Sequence, residues 1–361
     1  MATQVLVLVG TQKGAFCYRS DASRRDWCLT GPYLPGWEFY SLLGDSRNGH
    51  RLFAGTSHFV YGPSLRVSED FGQTWTEIED SPRYSAESGF ALKRIWQIVP
   101  GHPSQPERLY AGVEEAGLFV STDGGRSWQE SDALTRHPTR PGWFPGNGGL
   151  CLHTILIDPG DPQRLWVGIS AVGVFRTEDG GQTWRTCNKG LPPVPTGQPY
   201  PEIGRCVHKM ALDPCDANTL YMQFHGGVFK STDGADSWTA IETGLPGNFG
   251  FPMVVTASGH LYVIPLISDE QRFVKDGKLR VYESLNGGQS WQAVGTGLPE
   301  QAHFVGVLRD SMAVDSLEPA GLYFGTTMGE VYASADEGLH WQRLPGQLPR
   351  ITTVKTWILE D

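Results

Sequence analysis

The chain has 361 residues, among them 45 Gly, 25 Pro and 12 Trp, with 39% apolar and 19% charged residues. That density of helix breakers excludes a helical bundle and favours an all-β fold, which at this length can be one large unit. The 29 basic and 39 acidic residues give a formal net charge of −10, and no basic cluster lies along the chain, so no nucleic-acid partner is expected.

In chain order, the N-terminal VLVLVG ending at Gly10 has neither a cationic lead nor a cleavage site and reads as a strand. Nothing approaches the roughly 20 apolar residues of a spanning helix, so no membrane association is expected. The 6 cysteines form no CxxC pair and point to a reducing cytoplasm. GAFCYRSDASRRDW follows, ending at Trp27. An octapeptide then recurs as SEDFGQTW (68 to 75), STDGGRSW (121 to 128), TEDGGQTW (177 to 184), STDGADSW (231 to 238), SLNGGQSW (284 to 291) and SADEGLHW (334 to 341). Its tryptophans recur every 50 to 56 residues, the period of a four-stranded propeller blade. Trp27 extends the series upstream, although its turn sequence has diverged.

In the octapeptide an Asp or Asn (Asp70, Asp123, Asp179, Asp233, Asn286, Asp336) can accept backbone N–H groups, a Gly supplies positive φ and the Trp packs over the hairpin. Ala235 replaces the second Gly in one copy, and His340 replaces the Ser or Thr before the Trp in another. This is the signature of the Asp-box, or BNR, repeat. Over nearly its whole length the chain resembles the Asp-box β-propeller superfamily, whose members include sialidases, xyloglucanases, the sortilin ectodomain and a photosystem II assembly factor. It looks closer to bacterial single-propeller proteins of the sialidase-like or glycosyl-hydrolase-like kind. The resemblance implies a fold and leaves the function open. A true sialidase is not expected, because the Arg-Ile-Pro tripeptide of that family is absent and sialidases have six blades.

Each repeat reads as strands A to D: in the fourth octapeptide repeat these are 206 to 213, 219 to 224, 227 to 231 and 237 to 242. The chain starts on a B strand and ends on an A-like strand, ITTVKTWILED (351 to 361). Joining the termini completes a blade and removes open sheet edges. The expectation is a single domain over 1–361, a seven-bladed β-propeller whose C-terminal strand joins the N-terminal blade.

The AB and CD connections are short and alike. The long DA loops 76 to 93, 129 to 149 and 185 to 204 and the long BC loop 264 to 279 share the opposite rim, where recognition is expected. RHPTRPGWFPGNGG (136 to 149) supplies Arg136, His137, Arg140, Trp143 and Asn147, and QPYPEIGR (198 to 205) supplies Tyr200, Glu202 and Arg205. Such residues either order a Pro-rich loop or build a pocket for a polar ligand, with Arg94, Arg140 and Arg205 as candidate anion clamps. The A strands GLCLHTILIDP and GRCVHKMALDP place Cys151-x-His153 and Cys206-x-His208 at equivalent positions, with Tyr40, Gln97 and Asp310 aligned to the histidines by distance from the turn. Alternation puts each Cys and His on one side of its strand, and His225 opens the BC connection of the same rim.

Two readings follow. In the first, a top-face funnel binds a small polar or saccharide-like ligand. Catalytic His153, His208, Tyr200 and Glu202 would serve hydrolysis or lyase chemistry, with Arg94, Arg140, Trp143, Arg205, His225 and Asp310 binding the ligand. A divalent metal on His153 and His208 competes there with plain repeat similarity. In the second, a non-catalytic propeller docks a partner protein.

Overall fold

The computed structural model describes residues 3–193 and 200–360. Residues 194–199, part of the expected long connection 185 to 204, lie outside the described residues. The fold is all-β. Among the described residues the one α-helix is Asp132–Thr135, and no helix is long and apolar enough to cross a membrane.

Five sheets are four-stranded meanders and one has eight strands. Each meander runs A to D in chain order, as in Val207–Leu212, Leu220–Phe224, Gly227–Ser231 and Thr239–Ala240. Burial falls across the blade. B strands such as Leu109–Glu114 and Leu261–Leu266 are buried throughout, whereas D strands such as Thr76–Glu77 and Thr239–Ala240 are two exposed residues. Apolar side chains of one sheet fill the face of the next: Tyr110 and Leu118 pack with Ile155, Leu165 and Phe175, and Phe249 and Ile264 pack with Met312 and Phe324. The core therefore lies between sheets, and every blade needs its neighbours to bury both faces.

In the eight-stranded sheet the C-terminal strand Ile351–Leu359 pairs antiparallel with Gln4–Thr11, from Gln4 opposite Leu359 to Thr11 opposite Ile351. On its other side it makes one parallel bridge, Asp310 to Thr353, with the A strand Val307–Val314. Successive A strands pack on one another around the molecule, and Ile351–Leu359 also packs on Glu38–Asp45.

The Asp boxes are built as their chemistry requires. The Ser127 N–H and hydroxyl donate to the Asp123 carboxylate at 3.0 and 2.6 Å, the Ser121 hydroxyl donates to the same group at 2.8 Å, and the Gly125 N–H donates to Ser121 Oγ at 2.8 Å. These bonds hold the Asp123 carboxyl down at about 2 against the opposing effect of burial. In the last box the His340 ring stands in for the missing hydroxyl, with Nδ1 2.7 Å from Asp336 Oδ2. Ala235 keeps the N–H bond to Ser231 Oγ at 2.9 Å but sits at φ 74°, a left-handed conformation that costs an L-residue about 1 kcal/mol. The indole N–H groups of Trp75, Trp128 and Trp341 donate inside their own box, whereas those of Trp238 and Trp291 donate to Cys187 and Ile241 carbonyls of the preceding blade. Upstream, the diverged turn survives: Arg24 takes φ 56° and its carbonyl accepts the Trp27 indole N–H at 3.1 Å.

Candidate functional site

The A strands share one irregularity that decides where their polar side chains go. Pairing with strand B slips by one residue at Tyr40, Trp96, His153 and His208, each of which is passed over between two paired residues. A bulge swings the extra residue away from simple alternation. It also corrects the alignment by turn distance, since Trp96, not Gln97, is the equivalent of the histidines. Gln97 instead accepts the Ile155 N–H of the next blade at 2.7 Å.

Both histidines reach the neighbouring blade, but by different nitrogens. His153 Nε2 donates to the Val207 carbonyl at 3.1 Å while Nδ1 accepts from the Thr154 hydroxyl at 3.0 Å, and the ring is 0% exposed. Burial, and then the charges of Arg309 and Lys209, push its pKa well below the ordinary histidine value. The expectation that His153 lines the funnel, as catalytic group or metal ligand, is therefore corrected. The bulge turns it into the seam between blades, and no free nitrogen remains. His208 Nδ1 donates to the Gly250 carbonyl at 2.5 Å, which leaves Nε2 as the acceptor for the Cys206 thiol, whose Sγ is 3.7 Å away. Burial and then the Arg309 charge lower its pKa to about 3, so the ring is neutral and a weak base.

His208 lines an axial pocket of about 240 Å³ on the rim of the DA and BC loops. Asn147, Cys206, His225, Phe251, Arg272 and Arg309 contribute to its lining. The His225 N–H donates to the Cys206 carbonyl at 3.0 Å, so the BC corner is pinned to the start of strand A. The Asp269 carboxyl is held below its usual value chiefly by the Arg272 side chain, which donates to it at 2.5 Å, and lies 3.8 Å from His225 Nε2. Arg309 crosses toward Trp96, its guanidinium carbon 5.5 Å from the ring centre, and its Nε is buried without a hydrogen-bond partner among the described residues. Burial raises the Cys206 thiol pKa.

The other expected residues do not join them. Arg140 and Trp143 line a separate cleft of about 780 Å³ between two DA loops, together with Glu115, Glu130, Asp132 and His137. There the Arg140 guanidinium is spent on the Ala116 and Glu115 carbonyls at 2.7 and 2.6 Å, and Trp143 packs on Phe175 with its N–H on Thr139. Arg205 ties its own loop through the Leu191, Ile203 and Pro201 carbonyls. Arg94 pairs with Glu114 at 2.9 Å. Asp310 is buried under Lys209 at 2.6 Å and Lys355 at 3.5 Å, whose charges outweigh burial and keep it ionised. Tyr200 packs against the apolar cluster around Trp143, and Glu202 is exposed with its carbonyl on Asn188. Neither lines the axial pocket. Loop arginines and aromatics thus act here as braces, because a Pro-rich loop has carbonyls that only side chains can satisfy.

Arg309, Asp269 and Arg272 were not anticipated. Arg309 is one residue from the expected Asp310, in a strand whose pairing breaks between Val307 and Met312. Asp269 and Arg272 lie in the BC loop that length alone had marked.

The BNR/Asp-box repeat model matches residues 119–130. An oligoxyloglucan-reducing end-specific xyloglucanase of Emericella nidulans is 23% identical over 314 residues, covering 77% of this chain and 37% of that protein. Among solved structures, an ancestral GH74 enzyme superposes with a TM-score of 0.56 at 16% identity over 88% of this chain and 38% of that one. YCF48 bound to a D1 peptide superposes with a TM-score of 0.52 at 15% identity over 85% of each chain. The chain spans well under half the length of the curated relatives it matches. On its six octapeptides, its blade-like sheets and these likenesses, the chain is an Asp-box repeat protein with a β-propeller fold.

Proposed function

We propose that the chain is a saccharide-directed propeller whose axial pocket recognises a small, polar, acid-bearing ligand such as a sugar acid. The carrying observation is Arg309, a half-buried cation whose Nε has no hydrogen-bond partner among the described residues, in a pocket whose wall also holds His208. A cationic side chain held without a full set of acceptors favours an incoming carboxylate. Asn147, His225 and Asp269 stand at the same opening to meet hydroxyl groups. The volume, below the about 300 Å³ of ordinary ligand pockets, suits one ring more than a polymer. Xyloglucanase relatives support a carbohydrate ligand. Glycoside cleavage by a carboxylate pair, which needs two groups about 5 to 9.5 Å apart, has one carboxylate among the lining residues, Asp269, and that one is engaged by Arg272. Recognition is thus the reading the pocket supports best.

Calorimetric titration with glucuronic acid, glucose and xyloglucan oligosaccharides tests this. The acid should bind, glucose should bind at least tenfold more weakly, and Arg309→Gln should abolish the difference. Equal binding of acid and neutral sugar, or an unaffected variant, would overturn it, and release of reducing ends from xyloglucan would restore the hydrolase reading.

The same proposal takes the eight-stranded sheet as two blades joined by one bridge, giving seven blades in a single domain closed by the C-terminal strand. The circuit of packed A strands supports this. A reducing, cytoplasmic setting fits the free cysteines. Protein docking is a second reading, favoured by the exposed Phe59, Val60 and Tyr61 on a BC corner of the same rim.

A further inference from the structure

We propose that Cys206, His208 and His225 form a binding site for a zinc-type divalent ion at the wall of the axial pocket. The ligand atoms of the three residues all lie within 4.8 Å of one another. A thiolate about 2.3 Å and an imidazole nitrogen about 2.1 Å from one Zn2+ stand about 3.6 Å apart at the tetrahedral angle, and Cys206 Sγ is 3.7 Å from His208 Nε2. The orientation is as telling as the spacing. The Gly250 carbonyl accepts the Nδ1 proton of His208 and so fixes the tautomer that presents a lone pair at Nε2, the outer-sphere arrangement metal-bound histidines ordinarily have. His225 is held beside them by its own N–H bond to the Cys206 carbonyl. The equivalent pair one blade earlier is arranged otherwise: the His153 nitrogens meet the Val207 carbonyl and the Thr154 hydroxyl instead of a thiol, and the Cys151 thiol donates to the Gly148 carbonyl at 3.2 Å.

Sulfur with two imidazoles selects a borderline-soft ion over Mg2+ or Ca2+. On binding, the Cys206 thiol proton leaves to solvent and the thiolate takes its place on the metal. Three protein ligands leave the fourth position facing the pocket, with Asp269 at its edge. Arg272 is already neutralised by Asp269, so Arg309 is the cation that remains, and it favours an anionic fourth ligand. The inference rests on reading the axial pocket as the functional centre, and it makes the ion and Arg309 joint holders of the ligand's acid group.

The test is titration of the full-length, reduced protein with Co2+ and then Zn2+ in the absence of any saccharide. One equivalent of Co2+ should give tetrahedral visible bands and a thiolate-to-metal charge-transfer band, both lost on adding Zn2+. Cys206→Ser should remove the charge-transfer band, His225→Ala should weaken binding by more than about tenfold, and Cys151→Ser should behave as wild type. Thermal melts keep folding defects separate, because Cys206→Ser is near-isosteric and His225 is on the rim. Absence of stoichiometric binding, or a charge-transfer band that survives Cys206→Ser, would overturn the site. A protein that takes up metal but no sugar acid overturns the function proposed above and leaves this site standing, and one that binds the sugar acid without metal does the reverse.

Discussion

At the scale of single residues, two histidines of the same motif take different work because a bulge presents different nitrogens to the next blade. Their common feature is neutrality in the folded state. Both folded pKa values lie below the unfolded value near 6.5, so the unfolded chain binds more protons as pH falls, and stability is lost on acidification through pH 6.5 and below. His208, with a folded pKa of about 3, contributes roughly 2 kcal/mol of loss between pH 7.5 and 5.0 at about 1.4 kcal/mol per unit, and His153 adds loss in the same direction. Urea unfolding at the two pH values should show a smaller acid penalty in His153→Gln, whose amide can still donate to the Val207 carbonyl, and unchanged binding of a sugar acid. An identical penalty in the variant would mean that His153 is not held neutral. The Cys-x-His doublet was legible in the sequence. Which member would face solvent was not, because one residue of slip leaves the apolar and polar pattern almost unchanged. Arg309 was missed for the same reason, as it lies one position from the residue that alignment had chosen.

At the scale of the element, the Asp-box hairpin was readable in full, since its bonds run between residues at most four apart: Ser121, Asp123, Gly125 and Ser127 carry their geometry in their order. Long-range partners were not readable. Trp238 and Trp291 reach back to the previous blade, and the arginines of the long loops close on carbonyls rather than on a ligand. Asp123→Ala should cost about 1 to 3 kcal/mol, through the lost acceptor for the Ser127 and Ser121 groups, with ligand binding and metal uptake unchanged. Chemical denaturation together with calorimetry checks this, and selective loss of binding in a folded Asp123→Ala protein would place the box nearer the site than its place on the opposite face allows.

At the scale of the whole molecule, the termini belong to one sheet, and the expectation of a shared blade came from counting strands at the two ends. Removal of the last eleven residues should leave Gln4–Thr11 as a bare apolar edge and open both adjoining seams, so the truncated chain should aggregate and melt early. Light scattering during a thermal ramp decides this, and a truncated protein that melts like the full chain would show that the terminal strand is dispensable. The direction of that pairing has a mechanical consequence. Gln4 and Leu359 face each other at the same end of an antiparallel ladder, so a pull applied at these two residues loads the rungs one at a time and peels them in sequence. Shearing, which would strain all the rungs together, is not available to that geometry. Under tension the molecule is weakest at its seam, and it should open there as a zipper at low force while the meanders of the other blades stay folded.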